Sequence, residues 1–484
     1  MNLETAANLM NAEVKSLSPD LLSAVVKGFS IDSRTTADGE LFFALAQPDY
    51  QNNGFNGKFA DAHQFIPEAF ERGAVAAIAR FDKLLEHAFL EKFHHRLLFV
   101  EDGIAALQRL AAGVYKAWNK PVVAVTGSAG KTTAKQLTAE VLAASGRRVL
   151  TNIKNYNNGL GHPLTVLRLV TEGDFDVAVL EMGMSTPLHE IERLCRITPP
   201  DVAVELNVLP VHLEHLETIE NIAAAKAELI ENMKSGGRAI LNADDSRVLA
   251  MRNKLNSKQV LTYGIENAAD VTATHIKTPR FGETRFLLNL PNGTANIALQ
   301  LVGRHNVSNA LAAAAVGFCF EMRPEEIAAA LGKAAPPPMR GEVLRFLEGF
   351  EVVNDSYNSN PDALLSMVAT VVESGDRAKR VIVVAGEMLE LGDKAEQIHF
   401  ETGKKIARLG VDALFGVRGL AQNLVAGAKE DGLPNVHFFS DSDQAANAIV
   451  DEIKTGDLVL VKGSRGVRME KIVEGLLGKF SRTD

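Results

Sequence analysis

The stretch "VVAVTGSAGKTTAKQL" (residues 122–137) runs from a short apolar string through two glycines into residues with helical spacing. It ends as the phosphate-binding pattern G-x-x-x-x-G-K-[ST] ends, with Gly130, Lys131 and Thr132. The first glycine of that pattern would fall on Val125, still inside the apolar run, and Gly127 stands two places later. The flanks decide how to read it. A buried strand before the glycines and a helix after them bring backbone N–H groups and a helix N-terminus onto one anion site. Gly127 and Gly130 let the chain approach phosphate oxygens with no Cβ in the way. Lys131 then reaches the outer phosphates, and the Thr132 hydroxyl is placed for Mg²⁺. The bland alternative is a tight strand–helix turn with a solvated lysine.

Further along, "FDVAVLEMG", "PDVAVELNV" and "GGRAILNAD" repeat the short apolar run ending in polar or acidic residues. Between them lie helical patterns, including "KTTAKQLTAEVLAASG" with Leu137, Val141 and Ala144 on one face. Such alternation predicts a parallel sheet covered by helices, with ligands beyond the strands' carboxyl ends. "KRVIVVAGE", "VDALFGV" and "GDLVLVKGSRG" repeat it in the last third, which reads as a second, smaller α/β unit. The first third is less legible; "LFFAL" and "GAVAAIA" are its clearest strands. Two breaks separate the parts: "AWNKP" at 117–121, holding the only Trp, and "GKAAPPPMRGE" at 332–342, a stiff proline connector.

The chain's 484 residues are too many for one core. Hydrophobic residues make up 46% and charged residues 23%, the composition of a soluble globular protein. A net charge of −9, with no dense basic block, argues against a nucleic acid partner. Nothing resembles a signal peptide or a span, so no membrane insertion is expected and the protein is expected in the cytoplasm. Cys195 and Cys319, the two cysteines, read as free thiols in a reducing compartment.

A phosphate loop paired with a metal needs further oxygen ligands. "VLEMG" ends its strand with Glu181, whose carboxylate then points at the same sheet edge and suits Mg²⁺. "NVLPVHLEHLETIENIAAAKAEL" offers His212 and His215 in a loop and Lys226 in the helix after it. "GRHNVSNALAAAA" puts Asn306 and Asn309 at the start of an Ala-rich helix, where capping is the simpler reading. Arg340 follows the proline connector, and Asp355 sits in the polar turn of "VVNDSYNSNPDAL".

Taken in order, "TGSAGKTT", "LEMGM", "NVLPVHLEHL", "AAKAEL", "ILNADD", "GRHNVSNALAAAA" and "NDSYNSNP" resemble the successive motifs of the Mur ligases. The shorter T-G-x-x-G-K-T loop is that family's own version. The resemblance implies an α/β fold of three domains. These are a mixed α/β N-terminal domain binding the UDP substrate (1–118), a central parallel-sheet, P-loop ATPase-like domain (119–333) and a C-terminal Rossmann-like α/β domain (334–484). It also implies an ATP-dependent amide ligase of peptidoglycan precursor synthesis, expected to be a monomer. "DSYNSNPDAL" and "KGSRGVRMEKIV" resemble the branch that adds D-alanyl-D-alanine to UDP-N-acetylmuramoyl-tripeptide. Another Mur branch, or a folylpolyglutamate synthase-like ligase, is the alternative those two strings speak against. A nucleotide-binding switch would leave the first domain's "DSRTTADGELFFAL" unexplained.

The roles carried over are these. Thr126, Gly127, Ser128, Ala129, Gly130, Lys131, Thr132 and Thr133 bind ATP, with Asn309 near adenine, Arg340 at phosphate and Asp355 at ribose. Mg²⁺ falls to Thr132, Glu181 and His212, joined by Lys226 as a carbamate. Lys131, His212 and Lys226 are the catalytic set. Ser33 and Arg34 face the UDP moiety; Asn158, Ser356 and Asn358 face substrate; Lys462, Ser464 and Arg465 take the dipeptide end. The chain departs from the family at "DAHQF" (61–65), in the long stretch before it, and at His162, where a small apolar residue is commoner.

Overall fold

The protein is described by a computed structural model covering residues 1–484 except 154, 185–188, 211–215, 217, 256–258, 375–378 and 484. Three sheets organise it. In the first, Gly28–Ser30, Glu40–Phe43, Ala76–Arg80 and Leu97–Val100 pair in that order, all parallel. "LFFAL" and "GAVAAIA" supply its two middle strands.

The central sheet has nine strands. Six parallel strands lie in the order Val260–Gly264, Arg238–Asn242, Val202–Glu205, Val122–Thr126, Val177–Glu181, Val149–Thr151. Short, fully buried runs such as Val122–Thr126 form strands because helices cover both faces of the sheet. Beyond Val260–Gly264 the sheet continues as a meander of Val271–Arg280, Glu283–Leu290 and Gly293–Leu299, paired antiparallel. Sequence reasoning passed over these three. Glu283–Leu290 buries Phe286, Leu288 and Leu290 while Arg285 is exposed, so it carries the weaker signature of a strand covered on one side.

The third sheet runs Glu342–Arg345, Glu351–Asp355, Asp457–Lys462, Arg380–Gly386, Ala413–Val417, Val436–Phe439. Only its first pair is antiparallel.

Helix Lys131–Ala144 buries Ala134, Leu137, Val141 and Leu142. Ala144, expected on that face, is exposed because the helix stops there at Ser145, before Gly146 turns the chain with φ +84°. The Ala-rich helix Arg304–Cys319 packs in the same apolar cluster, its small side chains allowing close approach. Another cluster joins Leu107, Leu110 and Val114 of helix Gly103–Trp118 to Val166, Leu167 and Leu180 of the central part. Among the described residues, the third sheet's core cluster takes in only Phe281 and Val302 from the middle of the chain. Cys195 and Cys319 are both free thiols. Among the described residues no helix is long and apolar enough to cross a membrane.

Candidate active site

At position 125 the chain is still extended: Val125 pairs with Glu181 on one side and Val204 on the other. The turn comes two residues later, which is why the first glycine of the longer pattern is absent. Gly127 has φ +155°, and a Cβ there would stand 2.8 Å from Leu206 Cβ. Gly130 has φ +83°, and a Cβ there would stand 2.6 Å from Asn309 Oδ1. Helix Lys131–Ala144 begins at once, with Gly130 as its cap and the Ala134 N–H bonding back to the Gly130 carbonyl at 2.9 Å. The amides of Gly130, Lys131, Thr132 and Thr133 have no acceptor among the described residues, as the first turn of a helix leaves them.

Two loop amides are already engaged. The Ser128 N–H donates to the Asn207 carbonyl at 2.9 Å, and the Ala129 N–H donates to Asn207 Oδ1 at 2.8 Å. Asn207 Nδ2 returns a bond to the Ala129 carbonyl at 3.1 Å. Asn207, which sequence reasoning missed, therefore clamps the loop, and the helix's first turn rather than the whole loop faces an anion. Thr126, expected among the ATP-binding residues, is fully buried at the strand end with its hydroxyl unpartnered, and it does not line the cavity.

Lys131 Nζ donates to the Gly127 carbonyl at 2.7 Å. Burial pushes its ammonium pKa down, Glu181 opposes that, and Arg340 adds to it. The Thr132 hydroxyl donates to Glu181 Oε2 at 2.9 Å, and Asn157 Nδ2 donates to Glu181 Oε1 at 2.7 Å. Two hard oxygen donors side by side at a phosphate loop fit Mg²⁺.

Lys226, on helix Ile219–Glu231, is fully buried and does not line the cavity. Burial pushes its ammonium down, Lys131 adds to the shift, and Glu205 opposes it. Glu205, also missed in the sequence, is completely buried with neither carboxyl oxygen hydrogen-bonded among the described residues, and burial pushes its pKa well up. His212 lies outside the described residues. Away from the loop, Asp61, Glu86 and His87 converge, but Lys83 bonds to both Asp61 and Glu86, so the protein's own ammonium fills that cluster.

One cavity of about 640 Å³ joins these elements to the third sheet. Ser128 to Thr133, Asn157 and Glu181 line it from one side, and Arg340, Asp355, Tyr357, Asn358 and Lys462 from the other. Asp355 and Lys462 are register partners at neighbouring strand ends and form an ion pair of 2.6 Å. Lys462, expected at the dipeptide end, is thus Asp355's ion-pair partner on the cavity wall. The Arg340 guanidinium lies 4.0 Å from the centre of the Tyr357 ring, within cation–π range. Asn306 and Asn309 sit inside their helix, whose cap is Gly303. Asn309 Nδ2 donates to Asn306 Oδ1 at 3.1 Å, so capping is not their role.

Residues 125–317 match the Mur ligase middle domain, and residues 339–465 match the Mur ligase glutamate ligase domain. The UDP-N-acetylmuramoyl-tripeptide--D-alanyl-D-alanine ligase of Bacillus subtilis is 32% identical over 95% of each chain. This chain belongs to the Mur ligase family. The Escherichia coli enzyme of the same name is also 32% identical, covering 94% of this Mur ligase and 96% of its own length. Among solved structures, MurF from Acinetobacter baumannii superposes with a TM-score of 0.84 at 27% identity, covering 99% of both chains. MurF from Thermotoga maritima, crystallised with ADP, superposes with a TM-score of 0.77 at 28% identity, covering 96% of this chain and 99% of its own.

The remaining expected substrate residues of this Mur ligase divide. Asn158 lines the cavity, its Oδ1 accepting from the Leu160 and Gly161 N–H groups. Ser33 and Arg34 lie in the first domain and do not line it; Ser33 donates to Glu68, and Arg34 pairs with Asp32. Ser356, expected at the substrate, is completely buried and donates to Asn354 Oδ1 at 2.6 Å. Asp355 and Tyr357 line the cavity and Ser356, in the turn between them, does not. Ser464 is likewise buried, accepting the Leu389 N–H at 3.0 Å, and Arg465 pairs with Glu470 outside the cavity. The long stretch before "DAHQF" is well built. Tyr50 stacks on Phe59 at 3.8 Å, and Gln47 holds the Gly57 carbonyl and the Phe59 N–H.

Proposed function

We propose that this Mur ligase joins D-alanyl-D-alanine to UDP-N-acetylmuramoyl-tripeptide at the expense of ATP. The carrying observation is the match, along almost the whole chain, to ligases named for that reaction. The cavity supports it by bringing phosphate-loop and third-domain groups together.

The tripeptide's terminal carboxylate attacks the γ-phosphorus of ATP, forming an acyl phosphate and releasing ADP. The dipeptide's amine then attacks the acyl carbon, the acyl C–O bond breaks, phosphate leaves, and the new amide nitrogen gives up a proton. Two demands follow. A carboxylate must be held against a triphosphate, and water must be kept from the acyl phosphate. For the first, the free amides of the helix's first turn and Lys131 face the phosphates. A nearby anion would restore the charge that burial disfavours on Lys131. Arg340, held on Tyr357, adds a fixed positive charge from the other domain. Thr132 and Glu181 would hold Mg²⁺, with His212 completing the set; the ion supplies charge neutralisation at the phosphates. For the second demand, Asp355 engages the nucleotide's ribose and draws the third domain over it.

The test is mass analysis of the product from ATP, Mg²⁺, UDP-N-acetylmuramoyl-tripeptide and labelled D-alanyl-D-alanine. Label in a UDP-linked pentapeptide, with one phosphate released per amide, is the expected result. Incorporation of glutamate or diaminopimelate in place of the dipeptide would assign the chain to another branch.

A further inference from the structure

Glu181 is held by side chains that the mechanism above does not use. Its N–H donates to Asn152 Oδ1 at 2.6 Å, so Asn152, buried just past the neighbouring strand Val149–Thr151, fixes the end of Glu181's strand. Asn152 Nδ2 donates to the Tyr156 carbonyl at 2.7 Å, which draws the following residues back toward the strand end. Asn157 comes next: its Nδ2 reaches Glu181 Oε1 at 2.7 Å, and its carbonyl accepts the Gly183 N–H at 2.8 Å. With Thr132 on Oε2, each carboxylate oxygen has one donor.

Beneath this arrangement lies Lys135, one helical turn beyond Lys131. It is buried, and its Nζ donates to the Asn152 carbonyl at 3.0 Å. An ammonium carries three donors, and removing it from water is costly unless its charge is used. A side chain needed only to fill space there would be apolar. The charge that faces Lys135 from the strand is that of Glu181, with Arg340 opposing from the third domain.

We propose that Lys135, Asn152 and Asn157 form a positioning chain for Glu181. Lys135 anchors Asn152, Asn152 fixes the strand end and the turn after it, and Asn157 orients the carboxylate beside Thr132. None of the three touches the reacting atoms. Their work is to hold one rotamer of Glu181, so that a divalent cation meets preorganised oxygens. The proposal rests on the reading that Glu181 helps hold Mg²⁺.

The experiment measures Mn²⁺ binding to the full chain in the presence of ADP, from the free-ion spin resonance signal. It is paired with the Mg²⁺ concentration for half-maximal phosphate release. Lys135→Met and Asn157→Ser should each weaken Mn²⁺ binding about tenfold and raise the Mg²⁺ requirement in proportion. The affinity for metal-free ADP should stay within about twofold, a split that general loosening of the fold would not give. The double variant should be no worse than the weaker single, because both act through one carboxylate. Unchanged Mn²⁺ affinity in Lys135→Met, with Glu181→Gln losing it, would overturn the proposal and leave the Mg²⁺ reading standing. Unchanged affinity in Glu181→Gln would remove that reading and the proposal together. Should Lys135→Met not fold, Asn157→Ser decides, and unchanged affinity there overturns the proposal.

Discussion

His162 is fully buried, with Nε2 2.7 Å from the Thr198 hydroxyl and Nδ1 without a partner. Burial pushes its pKa down to about 3. The unfolded chain takes up this proton near the ordinary histidine value of about 6.5, the folded chain only much lower. Between those values the folded state binds fewer protons, so its stability falls as pH drops. By pH 5 the loss from this one group is about 2 kcal/mol. The fall in thermal midpoint between pH 7 and pH 5 should therefore be smaller in His162→Leu than in the parent; equal falls would show the imidazole is not the source. The sequence marks His162 as a departure from its family but cannot show that the site is closed to water. The place of Lys131, at the start of its helix and on the cavity, was legible from its neighbours alone. Lys131→Ala should abolish ATP-dependent phosphate release while leaving the thermal midpoint within a few degrees, and near-normal turnover would sink the phosphate-loop assignment.

The strand–loop–helix unit around Gly130 was readable because its apolar run, glycines and helical spacing are contiguous. Its clamp was not, since Asn207 lies 78 residues from Ala129 and only strand pairing brings the two together. Asn207→Ala removes a bond in each direction from the loop and should raise the KM for ATP about tenfold, with a smaller change in kcat. A ratio of one would mean the loop keeps its shape unaided. The same limit explains Ser356 and Ser464. A motif names a run of residues, whereas the way the chain turns after each strand end decides which of them face the cavity. The antiparallel meander escaped notice for a related reason: "VTATHIKTPR" mixes small, polar and basic residues, and no long apolar run announces it.

For the molecule as a whole, the lining of the cavity is divided between parts of the chain separated by the prolines at 336–338. Asp355→Ala removes the Lys462 pair and, on the proposed reading, the ribose contact. It should chiefly raise the KM for ATP, by about tenfold; an unchanged value would show that the third domain does not cover the nucleotide. The three parts are not equally independent, however. Helix Gly103–Trp118 shares its apolar cluster with the central sheet's surroundings, whereas the third sheet's core borrows little beyond Phe281 and Val302. Cutting the chain at its two composition breaks should thus give unlike fragments. The piece beyond the prolines should be recoverable as a folded body, and the first 118 residues, prepared alone, should cling to one another through an uncovered oily flank. Heating the intact protein should accordingly produce two melting steps rather than three, the leading pair of domains giving way as one.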